Sequence, residues 1–223
     1  MKISVVLPVL DEEARIAACL DGIAGMGFAE VIVVDGGSGD RTRDLVGPPA
    51  RLLESPRGRA TQMNAGARAA TGDVLLFLHA DVTLPQGAPG LIASALRDPR
   101  VVAGAFRTWH VADSGRSPPW LHLADLRSRY TTLPYGDQAL FVQRAVFRAV
   151  GGFPEQPLME DLELSRRLRR VGRIARVPAS VRVSGRRFLA HPIREALIVN
   201  LYPLLYRAGV PAAALARFYR NIR

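Results

Sequence analysis

Two short apolar runs, residues 3–7 and 31–34, each stop at a turn that carries carboxylates, and one helical stretch lies between them. Both runs are rich in β-branched residues. Pro8 bounds the first and Gly36-Gly37 the second, so they read as strands buried on both faces. Strand, helix, strand at this spacing demands parallel pairing through a right-handed crossover. The helix expected over 11–22 opens with Asp11, Glu12 and Glu13, where its dipole favours acids.

The alternation continues. A short strand is expected at 51–54, a small-residue helix at 58–71, a strong strand at 74–78, a helix after Pro85 through Leu96, and a strand at 101–109. Beyond a turn at 114–119 come a helix at 120–130, a strand at 138–142, a helix to Val150 and a Gly151-Gly152 break. A helix at 160–171, one or two short strands within 174–183 and a mostly helical segment from Gly185 complete the chain. The expectation is an α/β fold, a Rossmann-like and mostly parallel sheet with helices on both faces and a C-terminal helical tail.

A chain of 223 residues suits one domain, and 48% hydrophobic residues supply its core. The net charge of +10 is almost wholly arginine, since Lys2 is the only lysine. Such a surface favours anionic partners: sugar nucleotides, acidic lipid headgroups or nucleic acid. Aromatics make up 7% of the chain, too sparse for a stacking platform of the nucleic-acid-binding kind, so no nucleic acid is expected. Cys19 is the single cysteine, which forbids an intrachain disulfide. With no signal peptide pattern and no apolar stretch of about 18 residues, a cytoplasmic protein is expected, with contact at the inner face of the membrane the sharper alternative.

Ligands in open α/β sheets sit beyond the carboxyl ends of strands, and three acidic signatures fall there. Asp35, before Gly36-Gly37-Ser38, is placed to accept from a base or a ribose, or simply to shape a tight turn. In His79-Ala80-Asp81, the carboxylate suits Mn²⁺ or Mg²⁺ bridging a diphosphate, while His79 either ligates Mn²⁺ or hydrogen-bonds nearby. Glu160-Asp161 opens a helix, where acids have a plain dipole explanation and an equally good one as a general base.

Together these pieces resemble the family 2 glycosyltransferases, whose fold is called GT-A. The resemblance runs through Leu7-Pro8-Val9-Leu10-Asp11-Glu12-Glu13, Asp35-Gly36-Gly37-Ser38, and Gly58-Arg59 through Asn64-Ala65-Gly66. It continues through His79-Ala80-Asp81, where the family carries Asp-x-Asp, through Gly151-Gly152-Phe153 and through Glu160-Asp161. The closest form is a small soluble bacterial subgroup with His-Ala-Asp. The resemblance implies a glycosyltransferase that binds a UDP-sugar donor and a divalent ion, Mn²⁺ or Mg²⁺. It assigns Asp161 and Glu160 to catalysis, with Asp161 as base in an inverting displacement, and Asp81 with His79 to the metal. It assigns donor contacts to Pro8, Glu12, Asp35, Gly37, Arg59, Asn64, His79, Ala80, Gln138 and Arg187.

The transferase domain is expected over 1–190. Residues 191–223 form a helical extension whose Leu197, Ile198, Leu201, Leu204 and Leu205 pack on the body or on a second copy in a homodimer, or lie on an anionic membrane beside a lipid-linked acceptor. Rival readings are nucleotidyl transfer and a degenerate nucleotide-binding module. The first lacks a glycine-rich triphosphate loop followed by lysine.

Overall fold

The computed structural model describes residues 1–112, 118–122, 125, 128 and 133–220. The first half alternates as expected, with one added short strand, β5: β1 (Ile3–Val9), α1 (Ile16–Ile23), β2 (Glu30–Asp35), β3 (Arg51–Glu54), α2 (Arg59–Ala69), β4 (Val74–Phe77), β5 (Val82–Thr83), α3 (Ala88–Ala95) and β6 (Val101–Val111). The second half comprises β7 (Phe141–Gln143), α4 (Arg144–Ala149), α5 (Glu160–Val171), β8 (Arg173–Ser184), α6 (Arg186–Ala190), α7 (Pro192–Arg207) and α8 (Ala212–Arg220). Short 3-10 turns occupy Pro119–His122 and Gly136–Gln138.

The strands form one curled sheet in the order β3-β2-β1-β4-β7-β6-β8-β5. Pairing is parallel from β3 to β4, antiparallel on both sides of β7, parallel between β6 and β8, and antiparallel at β5. Because β7 reverses twice, β6 and β8 run the same way as β1 and β4. Their carboxyl ends therefore share one rim of the sheet.

The apolar runs are continuous because both faces are covered. On β1, Ile3, Val5, Leu7 and Val9 face α1 and α3, while Val6 faces α2; on β4, Val74 and Leu76 take the first side, Leu75 and Phe77 the second. Gly66 of α2 lets the helix sit directly on the sheet, since a Cβ there would lie 2.4 Å from Val6 Cγ1.

Some elements differ from expectation. Helix α1 begins at Ile16, because Asp11 adopts a left-handed φ of 54° and residues 11–13 bond to the neighbouring loop instead. Residues 136–138 form a 3-10 turn, so β7 starts at Phe141. The stretch at 174–183 belongs to one long strand, irregular where Pro178 falls between Arg176 and Ser180 in the ladder. The expected turn at 114–119 lies mostly outside the described residues, as does most of the helix at 120–130. The tail packs on the body through Tyr202 and Leu215, against Tyr135, Met159 and Leu162. Among the described residues, no helix is long and apolar enough to cross a membrane.

Candidate active site

The rim gathers the loops after β1, β3 and β4 around a cleft of about 970 Å³, and the loop after β2 adjoins them. The loops after β1 and β2 are fastened to each other. Asp35 Oδ2 accepts from the N–H groups of Gly37 at 2.8 Å and Ser38 at 3.0 Å, and Ser38 Oγ donates to Asp35 Oδ1. Ser38 Oγ also accepts from Asp11 N–H at 3.0 Å, while Asp11 Oδ1 accepts from Gly39 N–H at 2.8 Å. Thr42 Oγ1 accepts from Glu12 N–H at 2.7 Å. Beneath them the buried Gln62 amide donates to the carbonyls of Val9 and Val34 at 2.7 and 2.8 Å, tying the ends of β1 and β2 together. Gly36 has no room for a side chain, since its Cβ would lie 2.9 Å from the Gln62 amide.

Pro8, Glu12, Arg59, His79, Ala80, Asp81 and Glu160 all line the cleft. Glu12 carries an ion pair with Arg15 at 3.3 Å. The paired motif at the start of α5 divides in two. Glu160 is 1% exposed; Oε1 accepts from Arg59 Nε, and Oε2 is buried with no hydrogen-bond partner among the described residues. Asp161 stands behind the cleft wall, its Oδ2 accepting from Gly136 N–H at 2.7 Å and its Oδ1 from Leu162 N–H at 2.7 Å.

His79 Nε2 is likewise buried and without a hydrogen-bond partner, and a Cβ on Gly136 would lie 2.8 Å from it. Burial, reinforced by the Arg59 cation, lowers the His79 pKa below its ordinary value of 6.5 despite the nearby carboxylates of Asp81, Asp137 and Asp161. A neutral ring is the form that can donate a lone pair to a metal.

Other expected donor contacts sit elsewhere. Asp35 and Gly37 lie outside the cleft wall and shape the adjoining turn, where Gly37 has a φ of 89°. The Asn64 side chain clamps Phe153: its Nδ2 donates to the Phe153 carbonyl at 2.8 Å and its Oδ1 accepts from the Phe153 N–H at 3.0 Å. Gln138 is buried and caps its own turn, accepting from Tyr135 N–H at 2.9 Å. The backbone of Arg187 is in α6, but its side chain lies outside the described residues. Sequence reasoning gave no role to Arg57, to the 155–158 segment or to Ala216 of α8, all of which line the cleft. It also missed Gln62, whose signal was a lone amide among the buried Ala60, Met63 and Ala67 of α2.

Among the described residues, no group of three His, Cys, Asp or Glu side chains could cage a metal. Asp81 in the cleft, with the orphaned His79 nitrogen beside it in sequence, fits an ion that takes its remaining ligands from a diphosphate and water.

The chain matches the model of glycosyl transferase family 2 over residues 4–151. A PGL/p-HBAD biosynthesis glycosyltransferase of Mycobacterium tuberculosis (strain ATCC 25177 / H37Ra) is 41% identical over 175 residues, 67% of this chain and 62% of the relative. This chain thus spans about three fifths of that relative's length. The fold is similar to that of S. aureus TarS 1-349 in complex with UDP-GlcNAc, with a TM-score of 0.65, 21% identity, and coverage of 82% of this chain and 58% of that one. Glucosyl-3-phosphoglycerate synthase from Mycobacterium tuberculosis, in complex with Mn²⁺, UDP and glucosyl-3-phosphoglycerate, matches with a TM-score of 0.63 at 22% identity, covering 94% and 81% of the two chains. These likenesses make the sheet and its helices a GT-A fold.

Proposed function

The chain belongs to glycosyltransferase family 2, and from that premise we propose that it moves a sugar from a UDP-sugar to an acceptor hydroxyl with inversion. The observation that carries this reading is Glu160 on the wall of a cleft that Arg57, Arg59 and Asp81 also line, its Oε2 without a hydrogen-bond partner among the described residues.

Arg57 and Arg59 would neutralise the donor diphosphate, for which the guanidinium fork is suited. Asp81, with His79 beside it, would hold Mn²⁺ or Mg²⁺; when bound, the ion stabilises charge on the leaving diphosphate. The fastened loops after β1 and β2, including Pro8, Glu12 and the Asp35–Gly37 turn, give the nucleoside a rigid floor. In the transfer, the acceptor oxygen forms its bond to the anomeric carbon as the bond to the diphosphate oxygen breaks. The acceptor proton passes to the Glu160–Asp161 pair. Glu160 supplies the unpartnered oxygen, and Asp161, which the family resemblance implies as base, holds Gly136 and the turn behind the cleft.

A peripheral membrane contact is supported by the tail, where Leu201 and Leu204 stand exposed on α7, a helix that also carries Arg194 and Arg207. An acceptor linked to lipid would be met there.

The test is release of UDP from UDP-glucose and UDP-N-acetylglucosamine with Mn²⁺, comparing the native chain with Glu160→Gln and Asp161→Asn. Glu160→Gln is expected to remove turnover with UDP binding intact. Asp161→Asn is expected to retain part of it. Full turnover in Glu160→Gln would return the base role to Asp161, and no release by the native chain from any nucleotide sugar would end the transferase reading.

A further inference from the structure

At one corner of the rim, strands β6, β8 and β5 carry a row of exposed side chains. There the ladder places Trp109 of β6 opposite Arg182 of β8, and Arg182 opposite Thr83 of β5. Residues in register point to the same face of a sheet, and all three are exposed. Arg107, two residues before Trp109, extends the same open face. The row abuts the cleft: Ser184 N–H donates to the Asp81 carbonyl at 3.0 Å, and Ser184 is the ladder partner of Val111. Two strand spacings separate Trp109 from Thr83, about 10 Å.

An exposed tryptophan is unusual, and both tryptophans of this chain are exposed, Trp109 at 40% and Trp120, in the 3-10 turn that also carries His122, at 42%. The Trp109 indole is also held in place. It stacks on His122 with ring centroids 4.0 Å apart and planes 25° apart. His122 Nδ1 is in turn bonded at 3.0 Å to Asp125, a 1% exposed carboxylate that also bonds His110 at 2.6 Å and accepts from its backbone N–H. The core side of β6 thus fixes an aromatic shelf that faces outward, flanked by the cations Arg107 and Arg182.

We propose that Trp109, stacked on His122, is a carbohydrate-binding platform that seats the acceptor. The C–H face of a pyranose ring carries partial positive charge and packs on the negative face of an indole. Arg107 and Arg182 add hydrogen-bond donors for ring hydroxyls and favour an acidic substituent. At about 10 Å from the strand that follows Asp81, the platform holds a ring one or two sugar units away from the hydroxyl that reacts. The acceptor is therefore a glycan or glycoside of more than one ring. The seating of an acceptor rests on the proposed sugar transfer; the platform itself stands on the exposed, stacked Trp109 indole.

A glycan array probed with the labelled full chain tests this, with tryptophan quenching by the bound glycans as a second readout. The native chain is expected to bind one or more oligosaccharides. Trp109→Ala should weaken that binding about tenfold and Trp109→Phe should restore most of it, with UDP affinity in Mn²⁺ and the melting temperature unchanged. No glycan bound by the native chain, or binding indifferent to Trp109→Ala, overturns the platform. If Trp109→Ala fails to fold, quenching in the native chain decides: its absence with every array-bound glycan overturns the proposal. Glycan binding that persists while no nucleotide sugar binds would leave the platform standing and remove the transferase reading instead.

Discussion

Replacing Asn64 with alanine separates a structural clamp from a donor contact. The amide makes two hydrogen bonds to the main chain of Phe153, at 2.8 and 3.0 Å, across 89 residues of sequence. Phe153 is 3% exposed and its ring packs edge-on to Phe77, with centroids 4.8 Å apart, and on Phe147 at 5.6 Å. Gly152, at a φ of 66°, has its absent Cβ 2.8 Å from Asn64 Oδ1, so the loop is fitted to this side chain. Alanine would leave a buried N–H and a buried carbonyl unpaired, at about 1–2 kcal/mol each, or roughly 2–4 kcal/mol together. For a chain of this size each kcal/mol moves Tm by about 2–4 °C, so a fall of about 4–16 °C is expected. Thermal melts of Asn64→Ala are read against Arg68→Ala, an exposed position on the same helix that should stay within about 0.5 kcal/mol of native. UDP affinity, measured well below the new Tm, should change less than threefold or so. An unchanged Tm with lost UDP binding would refute the clamp and turn Asn64 toward the donor.

Three further outcomes follow from the same geometry. Gly136→Ala drives a methyl group to 2.8 Å from His79 Nε2 and 3.5 Å from Asp161 Oδ2; a loss of about 1–3 kcal/mol in urea unfolding is expected, with UDP release falling alongside. His79 has a folded pKa below 6.5, caused first by burial and then by Arg59. The unfolded chain therefore takes up a proton near pH 6.5 that the folded chain refuses until lower pH. Stability from the neutral ring is complete above that value and lost as pH falls below it, so the decline in urea midpoint from pH 7.5 to 5 should be shallower in His79→Gln. Cys19 has its thiol pushed up to about 12 by burial and then by Asp81 and Glu12, so a thiol reagent at pH 8 should label it only after denaturation.

The sheet strands were legible because burial on both faces writes itself as an unbroken apolar run, as in Val31–Ile32–Val33–Val34. Helix α5 was legible to the residue, since its apolar positions Leu162, Leu164 and Leu168 alternate with arginines and acids. Residues 11–13 misled because acids before an apolar stretch look alike whether they start a helix or bond a loop nearly thirty residues away. Asp81 and Glu160 fell to the strand-end and helix-start rules. Asn64 and Gln138 did not, because their partners are main-chain groups of Phe153 and Tyr135, and main-chain partners leave no mark in side-chain patterns. Strand β5, two residues long, has no periodicity to read.

Ala216, on the final described helix, lines the same cleft as Pro8. The part of the chain that carries the family match stops at residue 151, before Glu155, Glu160 and that helix have been made. During synthesis, then, the walls from the loops after β1 and β4 are made before the side formed by residues 155–160 and Ala216. A fragment trimmed to the matched region would be a cup without its far side.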